Sequence, residues 1–217
     1  MKTAIKPETA AEMVPDGAVL HIGGFMGVGT PNRIIDALVA RNARDLTVIC
    51  NDTAMPGVGI GKLVAADAVS TVIASHIGLN PETQTKMIAG DIRVELVPQG
   101  TLVERIRAAG YGLGGVLTAT GIGTPVEDGK QTIDIDGITY LVEKPLRAGF
   151  ALIAARQADY VGNLEYTLTA HNFNPTMAMS ADCVIAEPHH IVPVGVISPD
   201  AVKTPGVIVD HLIERAA

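Results

Sequence analysis

The chain has 217 residues, 47% of them hydrophobic, which is enough to bury a full core in a single domain spanning 1–217. Its net charge of −7, the lack of basic runs and the three Phe, four Tyr and no Trp disfavour nucleic-acid binding. No apolar run is long enough to cross a bilayer, and the N-terminus lacks the apolar core of a signal peptide. The two cysteines imply no disulfide framework. We therefore expect a cytoplasmic protein with neither a membrane nor a nucleic acid as partner.

Short apolar strands alternate with helical segments along the first half of the chain. After a helix at 7–14, an Asp-Gly turn leads into a buried strand and the glycine-rich segment 23–29. Three more strand-and-helix units follow, with strands at 46–50, 71–75 and 94–98 and helices at 31–41, from Pro81 and at 102–109. Asn80 is interpreted as the cap of the helix that Pro81 starts, and residues 57–61 are predicted to form a loop. This repetition predicts an α/β fold with an open, mostly parallel, doubly wound sheet and helices on both faces.

The second half begins with a loop-rich region at 110–124. Residues 131–142 then alternate around Asp136-Gly137, which predicts a small β-hairpin insertion with a two-residue turn. Later core strands are predicted at 151–155 and 183–186, and His189-His190 is interpreted as a surface loop.

The glycine-rich segment has the order strand, glycine loop, helix start. Glycine lets a ligand approach the backbone, and we expect free N–H groups and the dipole of the following helix to form an anion or cofactor cradle. Two familiar motifs do not fit: G-x-G-x-x-G has Asn32 in place of its last glycine, and a P-loop lysine is missing after Gly29. A tight turn without any ligand remains an equal alternative.

Asn51 and Gln99 follow the second and fourth predicted strands. Right-handed crossovers would bring both to one sheet edge beside 24–30, where such sheets bind ligands. Either amide group can instead close a turn or cap a helix. We predict no metal site, because the adjacent His189 and His190 do not face one ligand.

Three other residues with reactive side chains also have ordinary structural interpretations. His76 and His171 follow strand-like runs and are interpreted as structural histidines rather than site residues. Cys50 is interpreted as a small core residue rather than a nucleophile.

Residues 16–31 combine an Asp-Gly pair, an apolar run, Gly-Gly-Phe and Gly-x-Pro. This combination resembles the signature of the alpha subunits of class I CoA-transferases. The similarity extends along nearly the whole chain, including the Asn-Asp and Pro-Gln-Gly contexts of Asn51 and Gln99, and is strongest to the acetate/butyrate–acetoacetate enzymes. His21 departs from it at an apolar position, and His171 stands where relatives often have Arg.

The resemblance implies a CoA-transferase fold of the NagB-like type and exchange of CoA between acetyl- or butyryl-CoA and a 3-oxoacid. It implies a glutamyl–CoA thioester whose Glu lies on a beta subunit, an α2β2 assembly with that subunit, and no catalytic residue in this chain. Acyl-CoA and short carboxylic acids are the expected substrates, with no tightly bound cofactor. Asn51 and Gln99 would support the substrate or oxyanion, and the implied CoA-binding residues are Gly24, Phe25, Met26, Gly27, Val28, Gly29 and Thr30.

Other classes of function remain alternatives. A nucleotide-dependent oxidoreductase is disfavoured by the failed glycine spacing and by the lack of a clear acid at the end of the next strand to bind a ribose, for which Asp52 is the nearest candidate. A sugar-phosphate isomerase working alone, or a ligand sensor without chemistry, would use a related α/β fold. The sequence leaves the acyl chain length open, because both subunits are expected to form the pocket walls.

Overall fold

The computed structural model describes residues 1–214, and its first half alternates strands and helices as predicted. The strands are β1 (Ala4–Ile5), β2 (Val19–Ile22), β3 (Leu46–Asp52), β4 (Val69–His76), β5 (Arg93–Leu96), β6 (Val116–Thr118), β7 (Thr132–Ile135), β8 (Ile138–Glu143), β9 (Ala148–Asp159), β10 (Leu164–Glu165), β11 (Ala181–Val192) and β12 (His211–Ile213). The helices are α1 (Pro7–Met13), α2 (Asn32–Ala40), α3 (Ile60–Ala65), α4 (Pro81–Ala89), α5 (Gln99–Gly110) and α6 (Asn174–Ala178).

The main sheet has the strand order β1-β12-β11-β9-β2-β3-β4-β5. Its neighbours run parallel, and the short β10 pairs antiparallel with β9. From β2 the chain moves outward through β3, β4 and β5, and it then returns to the other side of β2 with β9. This reversal between β2 and β9 is a topological switch point, and sheets of this kind bind ligands beyond the carboxyl ends of the strands there.

Two hydrophobic cores lie on the two faces of this sheet. Leu20 and Ile22 of β2 belong to the core that α1, α2 and α3 cover. On the other face, Ile49, Leu102 and Met177 join β3, α5 and α6 in the second core. The predicted α/β sheet with helices on both faces is confirmed. Among residues 1–214, no helix is long and apolar enough to cross a membrane.

The predicted hairpin forms a separate small sheet, in the order β6-β8-β7. Its turn lies at Asp136 and Gly137, whose φ angles of 53° and 79° suit a two-residue hairpin loop. The buried Arg105 of α5 joins this sheet to the main body through Glu143 at 3.6 Å and Glu95 at 3.0 Å. The loop-rich interpretation of 110–124 misses β6, which forms only by pairing with β8.

Several predicted boundaries change because strand pairing continues beyond the apolar run. β3 extends through Asn51 to Asp52, where Asp52 pairs with His76 of β4. β11 likewise continues through His189-His190, so the predicted surface loop there is wrong, although both side chains are exposed. Helix α5 begins at Gln99, three residues before the predicted start.

The glycine-rich stretch 57–61 is also not wholly a loop. Helix α3 begins at Ile60, and the backbone of Gly61 approaches Met55 so closely that a Cβ would lie 2.2 Å from its carbonyl oxygen. The predicted cap of α4 is confirmed, since the side chain of Asn80 accepts a hydrogen bond from the Thr83 N–H.

Candidate functional site

The glycine-rich loop, residues 23–30, leaves the carboxyl end of β2 at the switch point beside β9. Phe25 and Val28 exchange two backbone hydrogen bonds of 2.9 Å, which place Met26 and Gly27 at the tip of a tight turn. Their φ angles of 52° and 87° are those of a turn that strongly favours glycine at its second central position. The loop is therefore a preformed turn.

Asn174, the first residue of α6, holds the base of this loop. It is fully buried, and its Nδ2 donates to the carbonyls of Gly29 at 3.0 Å and Ala170 at 2.8 Å. Its Oδ1 accepts from the Ala154 N–H of β9 at 3.2 Å. A Cβ at Gly23 would lie 1.7 Å from this Oδ1, so the close approach requires glycine there.

Asp52, at the end of β3, holds the tip of the loop. Its two carboxylate oxygens lie 3.2 and 3.0 Å from the Met26 nitrogen, and Oδ1 also accepts from the Ala54 N–H at 2.8 Å. Asn51 Nδ2 donates to Oδ2 at 2.8 Å, and Gln99 Nε2 donates to Asn51 Oδ1 at 2.6 Å. One hydrogen-bonded chain thus runs from Gln99 through Asn51 and Asp52 to the loop.

This chain determines which way each amide group points. A carboxylate only accepts hydrogen bonds, so Asn51 must turn its NH₂ group toward Asp52 and its oxygen toward Gln99. Gln99 must then turn its own NH₂ group toward Asn51. Each amide nitrogen keeps one further hydrogen, so the pair can donate to a carbonyl or carboxylate oxygen placed beside it.

The expectation of free N–H groups throughout the loop is wrong. Protein groups accept hydrogen bonds from the N–H groups of Gly23, Phe25, Met26 and Val28. The turn and the neighbouring strands use these donors internally, as buried backbone groups require. A ligand at this loop would therefore meet the fixed turn and its exposed side chains rather than a row of free N–H donors.

A carboxylate of the same chain also binds the N-terminus of α2. The carboxylate of Glu187, on β11, accepts from the N–H groups of Arg33 at 3.2 Å and Ile34 at 3.0 Å, and Arg33 Nε lies 3.3 Å from it. An internal anion thus takes the position at the helix N-terminus that the sequence assigns to a ligand.

The structure brings the predicted site residues together at one edge, with different exposure. Gly24 and Thr30 are buried, and Thr30 packs where a Cβ of Gly24 would lie. The remaining loop residues reach the surface to differing degrees, with Phe25, Met26 and Val28 exposed. Of the two amides, Asn51 is 1% exposed, whereas Gln99 is exposed.

His21 lies on β2 with its side chain in the core. Its Nδ1 lies 3.0 Å from Ser180 Oγ, and Ser180 Oγ also donates to the Met177 carbonyl. Burial lowers the pKa of His21 to about 4, so its imidazole is neutral at physiological pH. The polar residue at this apolar position of the motif is thus a core histidine.

The other reactive side chains have ordinary surroundings. Cys50 is buried in the first core, and burial raises the pKa of its thiol, which confirms its interpretation as a core residue. His76 is exposed at the end of β4. His171 lies edge-on to Tyr166, with ring centroids 5.5 Å apart. Residues 1–214 contain no group of three or more His, Cys, Asp or Glu side chains that could hold a metal ion.

The model of the coenzyme A transferase family matches residues 4–215. The chain belongs to this family. It is 52% identical over 214 residues to the acetate CoA-transferase subunit alpha of Escherichia coli K12, covering 98% of this chain and 97% of that one. It is 47% identical over 213 residues to the acetoacetyl-CoA:acetate/butyrate CoA transferase alpha subunit of Clostridium acetobutylicum, covering 98% of each chain. The protein is therefore the alpha subunit of a CoA-transferase, and names of this kind imply a beta subunit.

Solved structures share the fold. An acyl-CoA transferase from Escherichia coli O157:H7, in a thioester complex with CoA, superposes with a TM-score of 0.87 at 22% identity, covering 98% of this chain and 47% of its own. A variant of the decarboxylase AibA/AibB superposes with a TM-score of 0.82 at 28% identity, covering all of this chain and 84% of its own. Since a decarboxylase also has this fold, the fold alone does not identify the reaction.

Three residues make contacts at this candidate site that were not predicted from the sequence. From the sequence alone, Asp52 is considered only as a ribose ligand, although its position next to Asn51 is a signal for a shared hydrogen-bond network. Asn174 and Glu187 contact the loop and α2 from 145 and 153 residues further along the chain. No local pattern predicts contacts at that separation.

Proposed function

We propose that this chain is the alpha subunit of a short-chain acyl-CoA:acetoacetate CoA-transferase, which exchanges CoA between acetyl- or butyryl-CoA and a 3-oxoacid. The observation that carries the proposal is the Gln99–Asn51–Asp52 chain of hydrogen bonds, which orients two amide groups beside the glycine-rich loop. The names of the two curated relatives support the choice of acids.

The proposed reaction uses a glutamate of the beta subunit as nucleophile. Its carboxylate attacks the thioester carbonyl, which expels CoA thiolate and leaves an acyl–glutamyl anhydride. The thiolate then attacks the glutamyl carbonyl, releasing the first acid and forming the glutamyl–CoA thioester. The carboxylate of the second acid then attacks the glutamyl–CoA thioester and expels CoA thiolate. The thiolate attacks the acyl carbonyl of the new anhydride, which releases the second acid as its CoA thioester and frees the glutamate. Each addition places negative charge on a carbonyl oxygen, and Asn51 and Gln99 are the proposed hydrogen-bond donors to it.

The surroundings of several glutamates support a nucleophile on the partner. Glu82 lies 3.6 Å from Lys86, and Glu104 lies 3.2 Å from Arg107, both on helix surfaces. Glu187 is 9% exposed and accepts hydrogen bonds from backbone N–H groups. These three carboxylates have other partners, so we propose that this chain binds and orients the thioester and supplies no catalytic carboxylate.

We further propose that CoA contacts the loop from Gly24 to Thr30. The exposed side chains of Phe25, Met26 and Val28 would form the contact surface for its pantetheine arm, while the buried Gly24 and Thr30 keep the loop in shape. CoA thioesters are substrates here, and no tightly bound cofactor is proposed.

Assembly and location belong to the same proposal. We propose an α2β2 complex, testable by light scattering of the co-purified subunits. A cytoplasmic location is supported by the two free cysteines, Cys50 and Cys183, which suit a reducing compartment.

The test co-expresses the chain with a beta-type subunit and measures transfer of CoA from acetyl-CoA to acetoacetate. Asn51→Ala and Gln99→Ala should each lower kcat about 100- to 1,000-fold, because each removes one donor to the oxyanion. Gln131→Ala is the matched control, since it removes an exposed amide of the hairpin region and should leave kcat unchanged.

Several outcomes would contradict the proposal. CoA transfer by this chain without a partner would remove the need for a beta-subunit nucleophile. Wild-type kcat in both amide variants would remove the proposed donors. Isomerisation of a sugar phosphate by the isolated chain, or saturable ligand binding without turnover by the complex, would favour the isomerase or sensor alternatives.

A further inference from the structure

Asp52 connects two parts of the site that would otherwise be independent. It is 4% exposed, and its carboxylate accepts hydrogen bonds from Asn51 Nδ2, the Ala54 N–H and the Met26 N–H. The first of these contacts orients the amide pair, and the last fixes the tip of the glycine-rich loop. No other side chain among the described residues donates to or accepts from both parts.

We propose that Asp52 is a positioning residue for CoA transfer: it sets the direction in which Asn51 and Gln99 present their donor hydrogens and fixes the loop turn against them. The inference rests on the proposed function. Asp52 itself need not touch the substrate, because its effect passes through Asn51 to Gln99 in two hydrogen bonds of 2.8 and 2.6 Å.

The chemistry of the replacement Asp52→Asn shows why the carboxylate matters. An amide at position 52 has one oxygen and one NH₂ group, whereas three different donors now surround the two carboxylate oxygens. If the new NH₂ group faces Asn51, the Asn51 amide must turn over, and Gln99 must turn over after it. If it faces Ala54 instead, two N–H groups oppose each other. Either arrangement disturbs the donors or the loop.

The simplest alternative is that Asp52 only closes the turn with Ala54. Asp159, on β9, is a matched comparison, because it is 2% exposed and its carboxylate accepts from the N–H groups of Val161 and Asn163 and from Asn163 Nδ2. If Asp52 only closes a turn, Asp52→Asn and Asp159→Asn should have the same effect on activity.

The experiment measures kcat, KM and amide hydrogen exchange in the co-expressed complex. Asp52→Asn should lower kcat about 10- to 100-fold with little change in KM for acetyl-CoA, since misplaced donors fail mainly in the transition state. Exchange in the peptide covering 20–31 should become faster. Asp159→Asn should leave kcat and the exchange of that peptide at wild-type values.

A double substitution distinguishes positioning from a separate catalytic or structural effect. If Asp52 acts through the amides, Asp52→Asn should lower kcat much less in the Gln99→Ala background than in the wild type. An equal fold-loss in both backgrounds would overturn the inference, as would wild-type kcat in Asp52→Asn.

A second variant keeps the test decisive if Asp52→Asn does not assemble. Exchanging the two residues, as N51D/D52N, preserves the order of partners, because Asp at 51 can accept from Gln99 and from Asn at 52. We expect this variant to assemble and to exchange faster at 20–31, because an NH₂ group replaces the Asp52 oxygen that lies 3.0 Å from the Met26 nitrogen. It should also lose at least tenfold in kcat, since an acceptor replaces the Asn51 donor. Wild-type exchange at 20–31 in this variant, or wild-type kcat, would overturn the inference.

Failure of the proposed function is distinguishable from failure of this inference. A wild-type complex inactive with every short acyl-CoA and acid tried would defeat the proposed function. The exchange of the loop amides in Asp52→Asn, against Asp159→Asn, would still decide whether Asp52 fixes this edge.

Discussion

His21 shows how one residue makes the stability of the fold depend on pH. The side chain lies in the core between β2 and α6, hydrogen-bonded to Ser180, and burial lowers its pKa from 6.5 to about 4. In the unfolded chain the imidazole takes up a proton near pH 6.5, whereas the folded chain does so only near pH 4. Stability from this group is therefore present above pH 6.5 and is lost as the pH falls toward 4.

The prediction is that His21→Leu reduces this acid sensitivity. Between pH 7.5 and pH 5 the wild type should lose about 2 kcal/mol through His21, and the variant should lose none of that amount. Thermal unfolding of the complex at pH 7.5, 6 and 5 measures it. His190→Gln is the control, because His190 is exposed on β11 and should leave the pH dependence unchanged. A parallel fall of the melting temperature in wild type and His21→Leu would contradict the assignment.

Helix α2 depends on a strand that the chain forms much later. Two N–H groups of its first turn, at Arg33 and Ile34, donate to the buried carboxylate of Glu187 on β11. Since β11 pairs with β9 and β9 with β2, this contact ties the two sides of the switch point together. The carboxylate of Glu187 therefore neutralises the partial positive charge at the N-terminus of α2, and no ligand is needed there.

Replacing Glu187 by Gln should destabilise the folded complex by about 1–3 kcal/mol, since it weakens charge-assisted hydrogen bonds and removes the ion pair with Arg33. Thermal unfolding at pH 7.5 measures the change. Glu8→Gln is the matched control, because Glu8 lies exposed in the first turn of α1 and should change stability by less than about 1 kcal/mol. Equal effects of the two substitutions would show that Glu187 contributes no more than a surface charge.

The elements that the sequence predicts well are those whose signal is local. The strands of the first half, the Asn80 cap and the Asp136-Gly137 turn follow from apolar runs and turn chemistry within a few residues. Element β6 and the carboxyl half of β11 depend on partners elsewhere in the chain, so their own residues give little indication.

The site shows the same division between local and distant signals. The sequence predicts Asn51 and Gln99 at one edge because strand ends in a parallel sheet meet there. In the structure, Gln99 Nε2 lies 2.6 Å from Asn51 Oδ1. The contacts of Asn174 and Glu187 bring together residues about 150 positions apart. Likewise, two N–H groups of the glycine-rich loop donate to a carbonyl of β9 and to the carboxylate of Asp52, and the loop's own residues indicate neither contact.

At the scale of the whole molecule, two exposed apolar surfaces are candidates for the contact with a partner subunit. The loop patch consists of exposed side chains from the glycine-rich loop and the segment after β3, namely Phe25, Met26, Val28, Met55 and Val58. The hairpin patch consists of Ile133, Ile135 and Ile138 on the small sheet. The loop patch lies beside Asn51 and Gln99. Under the proposed function, a nucleophile carried by the partner reaches a thioester bound there, which requires the partner to face this edge.

We therefore predict that the beta subunit covers the loop patch. Amide hydrogen exchange in the peptides covering 20–31 and 53–59 should slow when the beta subunit binds in the absence of CoA, whereas the peptide covering 131–143 should be unchanged. Met26→Glu should weaken assembly at least tenfold by placing a charge in an apolar contact, and Ile135→Glu should not. Protection confined to 131–143, or full assembly of Met26→Glu, would place the partner elsewhere and separate the site from the interface. Addition of CoA alone to the assembled complex then distinguishes the ligand from the partner, since only further slowing at 20–31 would indicate that CoA also contacts the loop.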